Sequence, residues 1–348
     1  MRFTEDFGYS WKTLKIIDVA PLQRGFDLPE KDLKLGIYPV VYSNGIKNYH
    51  NQYKAIAPGI VTGRSGTIGK FTYIDNGGYW PHNTSLWVTD FKSNYPKFVY
   101  YLFQFVNFNN YSSGSGVPTL NRNDIHDRKV SIPPLNEQIK IATFLDLIER
   151  RIDTQIKIIE DFELLKKEIS NQIFSVLHKF PTGIVEEYIY YEQPQKYIVN
   201  SSEYVKKNKH TIPVLTANQA FILGYTNEIN GIYDKGACII IDDFTLDCKY
   251  VDFDFKIKSS AIKILKGNDT MLTKFFYEYL KFLNLSTEEH KRHYISEVSK
   301  LPINVPPLSQ QNLIVNKLDL LSQKIENEKA ILNLYKEQKN YLLNNMFI

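Results

Sequence analysis

The chain has 348 residues, of which 43% are hydrophobic and 23% charged; this composition is ordinary for a globular protein, and the length favours two domains over one. Apolar runs such as Ala237–Ile241 are far too short to cross a membrane, and the first residues contain no apolar signal core, so we expect a cytoplasmic protein without a transmembrane helix. Cys238 and Cys248 are too few for a disulfide framework or a cysteine-based metal site, and the net charge of +4 is too small to identify a partner.

The first predicted domain, residues 1–134, has the pattern of a mainly β domain. Tyr38–Asn44 is typical of a strand that ends in a polar loop, and Ala57–Thr62 of a turn that leads into a strand. An aromatic-rich helix is predicted at Lys97–Gln104. The segment carries 15 basic and 10 acidic residues, an excess that favours a polyanionic partner without identifying one.

Residues 135–178 predict one long helix. The two prolines of Ile132–Gln138 exclude a helix before them, and Asn136 is placed to cap the amides of the first turn. Neither Gly nor Pro follows for about 40 residues, which corresponds to about 60 Å of helix. Apolar residues recur three and four positions apart along one seam, which is apolar at eight of its ten positions. These positions are Ile141, Leu145, Ile148, Ile152, Gln155, Ile159, Phe162, Lys166, Ile169 and Ile173.

The second predicted domain, residues 179–306, repeats the pattern of the first. Ile212–Asn218 again predicts a strand that ends in a polar loop, and Asp234–Ile239 a turn that leads into a strand. An aromatic-rich helix is predicted at Lys274–Lys281. Basic and acidic residues balance in this segment, so its charge favours no class of partner.

Residues 307–348 predict a second long helix, and its likeness to the first is the strongest signal in the sequence. Val305–Gln311 repeats Ile132–Gln138 at an offset of 173 residues, with Ser309 as the predicted cap. The second seam is again apolar at eight of ten positions. These are Ile314, Leu318, Leu321, Ile325, Glu328, Leu332, Tyr335, Lys339, Leu342 and Met346.

The polar interruptions of the two seams fall at equivalent places. Gln155 corresponds to Glu328, and Lys166 corresponds to Lys339. Helices of this length are too long for the core of one domain, so each is expected to bury its apolar stripe on the other as an antiparallel pair. The predicted fold is therefore α+β: two mainly-β domains separated by two long helices that form an antiparallel coiled coil, with an internal pseudo-twofold repeat.

This arrangement resembles the specificity subunits of Type I restriction-modification systems along essentially the whole chain. The most family-specific stretch is the junction Val117–Ile125 together with Ile132–Gln138. Further stretches resemble the opening, core strands and loops of target-recognition domains of two different subtypes. They are Gly8–Trp11 with Leu14–Ala20, Tyr38–Gly45 and Gly63–Gly69 in the first half, and Tyr191–Val199 and Pro213–Thr226 in the second.

The resemblance implies two target-recognition domains, each reading one half of a bipartite site in the major groove of double-stranded DNA, with the helix pair fixing the unread spacer. It implies two modification subunits as partners, which carry S-adenosylmethionine and methylate adenine at N6, with restriction subunits joining that core in a prokaryotic cytoplasm. No cofactor is expected in this chain. The glycine-rich loop Gly63–Gly69 has no equivalent in the second domain, which has Ile239–Asp247 there, so contacts cannot be copied between domains.

DNA reading requires phosphate contacts for register and base-edge contacts for sequence. In the first domain the glycine-rich loop is expected to bring backbone amides and a guanidinium close to the duplex, although a tight turn between strands is the alternative. Arg122 could instead pair with Asp124, and His82 and Asn83 are expected to stabilise a loop. The candidates are Arg64, Ser65, Thr67 and Lys70 in the loop, Ser43, Asn44 and Lys47 after a strand, and Arg122 in the junction.

In the second domain two basic clusters and one polar loop are the DNA-binding candidates, with a solvated surface as the alternative for each. Asn and Gln can pair bidentately with adenine, which favours the polar loop for base reading. The candidates are Lys206, Lys207, Lys209 and His210, then Lys291, Arg292 and His293, and in the loop Thr216, Asn218 and Gln219.

The sequence lacks the motifs of a catalytic chain. An adenine methyltransferase of this kind needs Asn or Asp before Pro-Pro, whereas Ile132 and Val305 stand there. Neither a glycine-rich cofactor motif nor a metal-ligand cluster is present, so we expect a non-catalytic, metal-free DNA-recognition subunit. Two alternatives stay open: the recognition subunit of a Type II methyltransferase–nuclease system, and a coiled-coil interaction protein without a nucleic-acid role. The missing motifs oppose a free-standing methyltransferase.

Overall fold

The computed structural model describes residues 11–113, 116–201, 203–217, 220–287 and 291–347. The chain folds into two compact units: the first runs up to Ile156 and resumes at Ala330, and the second comprises Lys157–Lys329. Each unit therefore contains one β-rich region together with one part of each long helix. The predicted division of the sequence into four segments differs from this division into two compact units, and it stays a prediction.

The β-rich region of the first unit contains two four-stranded sheets, in the orders β2-β9-β6-β7 and β4-β3-β8-β5, and two small ladders that pair β1 with β12 and β10 with β11. The strands are β1 (Lys12–Lys15), β2 (Leu22–Arg24), β3 (Tyr38–Tyr42), β4 (Gly45–His50), β5 (Ala55–Ile56), β6 (Gly59–Gly63), β7 (Phe71–Ile74), β8 (Gly78–Pro81), β9 (Ser85–Val88), β10 (Ser112–Ser113), β11 (Thr119–Leu120) and β12 (Lys129–Ile132). The helices in this part of the chain are α1 (Ile16–Val19), α2 (Pro96–Val106), α3 (Arg122–His126) and the long α4 (Leu135–His178).

The second unit repeats this plan with the sheets β14-β20-β17-β18 and β16-β15-β19 and the ladder of β13 with β21. In both units one strand pair is parallel, β3 with β8 and β15 with β19. The strands are β13 (Gly183–Ile184), β14 (Ile189–Glu192), β15 (Ile212–Leu215), β16 (Ile222–Thr226), β17 (Cys238–Asp242), β18 (Cys248–Val251), β19 (Lys256–Ile257), β20 (Ile262–Gly267) and β21 (Pro302–Ile303). The helices are α5 (Val185–Tyr188), α6 (Thr273–Leu283) and the long α7 (Leu308–Met346).

The aromatic-rich helices α2 and α6 form the cores of their units. Phe98 and Phe103 of α2 are fully buried, as are Phe275 and Phe276 of α6. Burying such large apolar rings is the main favourable contribution to folding, at about 25 cal/mol for each Å² removed from water. Both helices end at an asparagine in the left-handed conformation, a common helix terminator, at Asn107 and Asn284.

The two long helices pair in antiparallel directions, as predicted. In the first unit Lys339 Nζ lies 2.8 Å from Glu149 Oε1, and the Arg151 guanidinium lies over the Tyr335 ring, so residue numbers fall on one helix as they rise on the other. Every predicted seam residue of α4 and α7 is buried or half-buried. The α+β fold with two long helices as an antiparallel coiled coil is confirmed.

The predicted caps of these helices are wrong. Helices α4 and α7 begin at Leu135 and Leu308, so Asn136 and Ser309 lie inside the first turn. The carbonyl of Pro134 accepts hydrogen bonds from the amides of Glu137 and Gln138, and the Pro307 carbonyl does the same in the second copy. Proline needs no amide partner and therefore suits a position immediately before a helix.

A buried glutamine in each copy ties the start of the long helix to the start of the aromatic helix. Gln138 Oε1 accepts from the Tyr95 amide at 2.8 Å, while its Nε2 donates to Asn94 Oδ1 and to the Pro133 carbonyl. Gln311 is completely buried; its Oε1 accepts from the Leu272 amide at 2.8 Å, and its Nε2 donates to the carbonyls of Thr270 and Pro306. Every polar atom of these side chains has a partner, which makes their burial tolerable.

The two cysteines lie in the second unit. Cys238 and Cys248 are free thiols, and burial raises the pKa of Cys238 to about 12 and that of Cys248 to about 11, so neither is an activated nucleophile. Within the same ranges, no group of three or more His, Cys, Asp and Glu side chains is arranged to hold a metal ion. No described helix combines the length and apolarity needed to span a membrane.

Candidate nucleic-acid interface

The turn between β3 and β4 and the glycine-rich loop lie together in the first unit. Lys70 Nζ donates a 2.7 Å hydrogen bond to the carbonyl of Asn44 and so joins the two segments. Ser43 and Asn44 are half-buried in this turn, while Lys47 is exposed on β4. The structure therefore places Ser43, Asn44 and Lys70 at one edge of the unit.

The glycine-rich loop owes its shape to close backbone packing. A Cβ at Gly63 would overlap the carbonyl of Thr67, and Gly69 has a φ of +75° and lies against the side chain of Asn109. Thr67, by contrast, is exposed at the tip of the loop.

The expectation that the amides of this loop face DNA is wrong for three of them. The amides of Arg64 and Ser65 donate to the Thr84 carbonyl, and the Gly66 amide donates to the Pro118 carbonyl at 2.9 Å. These amides are already satisfied within the protein, so the loop would contact a ligand through its side chains.

Three arginines converge on a cavity of about 490 Å³, which we call the arginine pocket. Its polar lining is Arg24, Arg64, Arg122, Asn121, Ser113 and Thr119. Arg24 forms only a loose, exposed ion pair with Asp27, with 3.6 Å between nitrogen and oxygen. Among the described residues, neither Arg64 nor Arg122 has a carboxylate within 4.0 Å, and the alternative pairing of Arg122 with Asp124 does not occur.

The walls of the arginine pocket are held by backbone and side-chain hydrogen bonds. The Arg64 carbonyl accepts from the Leu120 amide at 2.8 Å, and Asn121 caps α3 by accepting from the Asn123 amide. Buried His126 on the same helix accepts from the Leu22 amide through Nε2 at 2.9 Å. Burial and the nearby Arg122 lower the pKa of His126, which keeps the imidazole neutral and able to accept that bond.

The loop-stabilising roles predicted for His82 and Asn83 agree with their contacts. His82 Nδ1 lies 3.0 Å from Thr84 Oγ1, and the side chain of Asn83 donates to Asp27. Burial lowers the pKa of His82. Both residues therefore support the loops around the arginine pocket.

In the second unit, Lys206, Lys207, Lys209 and His210 are all exposed, on a segment that pairs with β16 through Val205 and Tyr225. Lys207 Nζ lies over the Tyr225 ring at 5.8 Å. Thr216 is half-buried at the end of β15, where its amide donates to the Phe221 carbonyl. The other two loop candidates, Asn218 and Gln219, lie outside the described residues.

The second basic cluster is only partly available for contacts. Lys291 and Arg292 are exposed; Lys291 pairs with Glu297 at 3.1 Å, and Arg292 lies over the Phe244 ring. His293 is only 1% exposed, with Thr287 Oγ1 and Glu297 Oε2 at its two ring nitrogens. Its prediction as a DNA contact is therefore corrected: the imidazole is a packing group that holds the cluster in place.

A buried ion pair lies where the second unit lacks the glycine-rich loop. Lys263 and Asp243 are 1% and 2% exposed at their side chains and approach to 3.4 Å, while Lys263 Nζ also donates to Gln193 Oε1 at 3.2 Å. Asp243 Oδ1 accepts from the Tyr294 amide at 2.8 Å. The loop acid is thus turned into the core and fixes the segment that carries Lys291 and Arg292.

Sequence reasoning missed Arg24 and a duplicated Tyr-Lys-Asp contact. Arg24 has no motif around it and is recognised only by the β2–β9 pairing that places it at the pocket. In the first unit Lys97 Nζ lies 3.0 Å from Asp146 Oδ1 and 4.4 Å from the Tyr73 ring centre. In the second, Lys274 makes the same contacts with Asp319 and Tyr250. The available signals were the equal spacing of Tyr and Lys in the two halves and the offset of 173 residues between Asp146 and Asp319, which is the offset of the helix repeat.

The comparisons with known proteins agree with this architecture. The family described as Type I restriction modification DNA specificity domain matches residues 9–163 and 194–336. The Type I restriction enzyme EcoR124I/EcoR124II specificity subunit of Escherichia coli is 42% identical over 186 residues, which cover 48% of this chain. The match spans 46% of that relative, so it extends over about half of the relative's length.

Two solved structures share the fold at low sequence identity. The S subunit of the Type-I restriction-modification system from M. genitalium superposes with a TM-score of 0.68 at 16% identity, covering 99% of this chain and 98% of that one. A structure concerned with complex assembly and conformational transition of the type I R-M system superposes with a TM-score of 0.54 at 12% identity, covering 96% and 97%. The matched ranges extend through most of both units, and on that evidence the chain belongs to the Type I restriction modification DNA specificity domain family.

Proposed function

We propose that this chain is the DNA-reading specificity subunit of a Type I restriction-modification complex, and that each unit reads one half of a bipartite site. The observation that carries this proposal is a duplicated frame with different polar surfaces. The sheet order of β2-β9-β6-β7 recurs as β14-β20-β17-β18. At equivalent loop positions, however, the first unit has Arg64 lining a cavity and the second has Asp243 buried in the core. Two different surfaces on one frame suit two different half-sites.

The long helices supply the spacer in this proposal. Helices α4 and α7 contain 44 and 39 residues, which is far more than the core of either unit requires. Their seams are buried or half-buried in both units, as in a packed coiled coil. We infer that the helix pair keeps the number of unread bases between the half-sites constant.

Two copies of one partner are supported by exposed leucines that recur at the repeat offset. Leu147 on α4 and Leu320 on α7 are 60% and 67% exposed. Leu135 and Leu308, at the helix starts, are also exposed in both copies. Apolar side chains that are exposed at equivalent positions of both copies suit an apolar partner surface. The partner we propose is a modification subunit that carries S-adenosylmethionine and methylates adenine at N6. One copy would bind at the exposed leucines of α4 and the other at those of α7.

The chain itself would take no part in the methyl transfer. Its Pro-Pro pairs start helices: Pro134 and Pro307 accept the first-turn amides, and the preceding Ile132 is buried. These pairs therefore have a structural role and lack the polar residue that would hold a flipped adenine. This reading places the protein in the cytoplasm of a prokaryote, where its DNA is, and restriction subunits would join the same core.

Co-purification with the modification subunit tests both the partner and the chemistry. The double variant Leu147→Glu, Leu320→Glu should lose the modification subunit and, with it, methyl transfer from S-adenosylmethionine to DNA, because two charges would be buried at the contact. The matched control is Leu164→Glu, since Leu164 is 58% exposed on the same helix but has Glu337 at its repeat position. Equal retention of the partner by both variants would refute this docking surface, and methyl transfer by the chain alone would refute the non-catalytic role.

A further inference from the structure

Three positions around the arginine pocket have exact counterparts in the second unit. The backbone bond from the Leu120 amide to the Arg64 carbonyl recurs, at 2.9 Å, from the His293 amide to the Asp243 carbonyl, so Arg64 and Asp243 occupy equivalent places. Both follow the last residue of the equivalent strands β6 and β17.

The strand registers supply the other two equivalences. In the first unit β9 pairs with β6 through Leu86 and Thr62, and in the second β20 pairs with β17 through Lys263 and Ile241. Arg24 pairs with Leu86 across the outer ladder.

On the equivalent ladder of the second unit, Glu192 pairs with Ile264. The next residue, Gln193, therefore comes opposite Lys263. Arg24, Leu86 and Arg64 thus correspond to Gln193, Lys263 and Asp243.

The two units use these positions in opposite ways. In the second unit the three side chains satisfy one another: Lys263 pairs with Asp243 and donates to Gln193, and the charges cancel inside the protein. In the first unit the same place is open, and Arg24 and Arg64 line the cavity together with Arg122. Of the carboxylates in the described chain, only that of Asp27 approaches any of the three within 4.0 Å, and it does so loosely from an exposed position.

We propose that the arginine pocket binds one phosphate group of the DNA backbone, which supplies from outside the negative charge that Asp243 supplies from inside the second unit. This inference rests on the proposed DNA-reading function. A guanine edge is uncharged and is read by one bidentate arginine, whereas three arginines around one cavity suit a full anionic charge. Ser113, Thr119 and Asn121 add hydroxyl and amide donors at the same cavity, and such groups are common phosphate partners.

The proposal makes the two half-sites unequal in their dependence on salt. Each phosphate neutralised by the protein contributes about 0.9 to the slope of log affinity against log salt concentration on duplex DNA. The pocket would add this contribution only to the half-site read by the first unit. It would position the DNA without selecting a base.

The test measures DNA binding by the complete complex with its modification subunits, by fluorescence anisotropy over a series of sodium chloride concentrations. One duplex carries the methylated bipartite site of the host and the other a scrambled sequence. Arg64→Ala and Arg122→Ala should each weaken binding to both duplexes by the same factor and lower the salt slope by at most about 0.9, the contribution of the one phosphate that they share. Arg64→Lys, which keeps the charge, should restore most of the slope. The control Arg128→Ala removes an exposed arginine that does not line the pocket and should change neither quantity.

Two outcomes would overturn the inference while leaving the proposed function intact. Weakened binding to the cognate duplex alone, with the salt slope unchanged, would make Arg64 a base reader. Unchanged binding of both duplexes by folded Arg64→Ala and Arg122→Ala complexes would show that the pocket does not contact DNA. A wild-type complex that fails to prefer the cognate duplex would instead refute the proposed function itself.

Discussion

At the scale of single residues, burial decides which of the polar side chains are available for contacts. Arg64 and Asp243 occupy equivalent loop positions, yet the first lines an open cavity and the second is 2% exposed at its side chain and paired with Lys263. A buried carboxylate of this kind is stable only while its partner and its hydrogen bonds persist. Equivalent positions thus differ in whether the charge is paired inside the protein or lines an open cavity.

The surroundings of His126 predict a loss of stability in acid. Burial, and secondarily Arg122, lower its pKa, while Asp127 acts in the opposite direction. Because the folded state favours the neutral imidazole, the stabilisation is present above the unfolded pKa of about 6.5 and is lost as the pH falls through the lower folded value. We expect the melting temperature of the chain to fall between about pH 7 and pH 5.

Substitution separates the contribution of His126 to the acid-induced fall in melting temperature from the contributions of other groups. In His126→Gln the side-chain oxygen can still accept from the Leu22 amide but does not titrate, so the acid-induced fall in melting temperature should become smaller. Some dependence should persist, since the pKa of His82 is lowered too. An identical profile for wild type and His126→Gln would contradict the assignment.

At the scale of elements, the long helices were the most predictable part of the fold and the loops the least. The seam positions follow from a period that depends only on the sequence, and the structure buries or half-buries them all. The caps at Asn136 and Ser309 were wrong because the carbonyls of Pro134 and Pro307, two residues earlier, accept the first-turn amides. Neither residue type nor period distinguishes these two ways of starting a helix.

The candidate contacts could be predicted only in part, because exposure depends on tertiary structure. The basic residues of 206–210 are exposed as expected, but His293 from an equally basic cluster is buried under Glu297 and Thr287. Arg24 joins the arginine pocket through strand pairing alone, and no local pattern marks it. Gln138 and Gln311, in contrast, stood at matching positions of the repeated heptapeptide, so the repeat itself could have identified them.

Replacing buried Gln311 should lower the free energy of unfolding strongly, whereas replacing the adjacent Gln310 should hardly change it. Gln311→Ala leaves the Leu272 amide and the carbonyls of Thr270 and Pro306 without their partner, and each unsatisfied buried group costs about 1–3 kcal/mol. We expect chemical denaturation to show a loss of at least about 1–3 kcal/mol in the free energy of unfolding. Gln310→Ala removes an exposed glutamine and should lie within about 0.5 kcal/mol of wild type. Equal stabilities for the two variants would disprove the role of Gln311 in joining the start of α7 to the start of α6.

At the scale of the whole molecule, the end of α7 belongs to the first unit. Leu343, Met346 and Phe347 are buried in its core, and Phe347 stacks on Phe105 with 5.4 Å between ring centres. Deleting residues 307–348 would therefore expose that core and unfold the first unit, so a loss of assembly after this deletion would not locate the docking surface. Point substitutions on the exposed face are the cleaner test.

Lengthening the helix pair should change the number of unread bases between the half-sites without changing the bases that are read. The boundaries of the compact units fall after Ile156 and after Lys329, which are equivalent positions at the repeat offset of 173. One heptad inserted at both places preserves each seam and adds about 10 Å of helix, close to the rise of about three base pairs. The methylated motif should keep both half-sites and gain spacer bases. A heptad inserted in one helix only should abolish methylation. A changed half-site after the double insertion would contradict the role of the helix pair in setting the spacer.

Native-DNA methylation mapping of the host, with and without the gene, tests whether this chain selects a bipartite DNA site for a separate methyltransferase. We expect deletion to remove one bipartite N6-methyladenine motif, both half-sites together, and to leave other motifs unchanged. An unchanged methylome, in a host whose partner methyltransferase is intact and expressed, would contradict the proposed function.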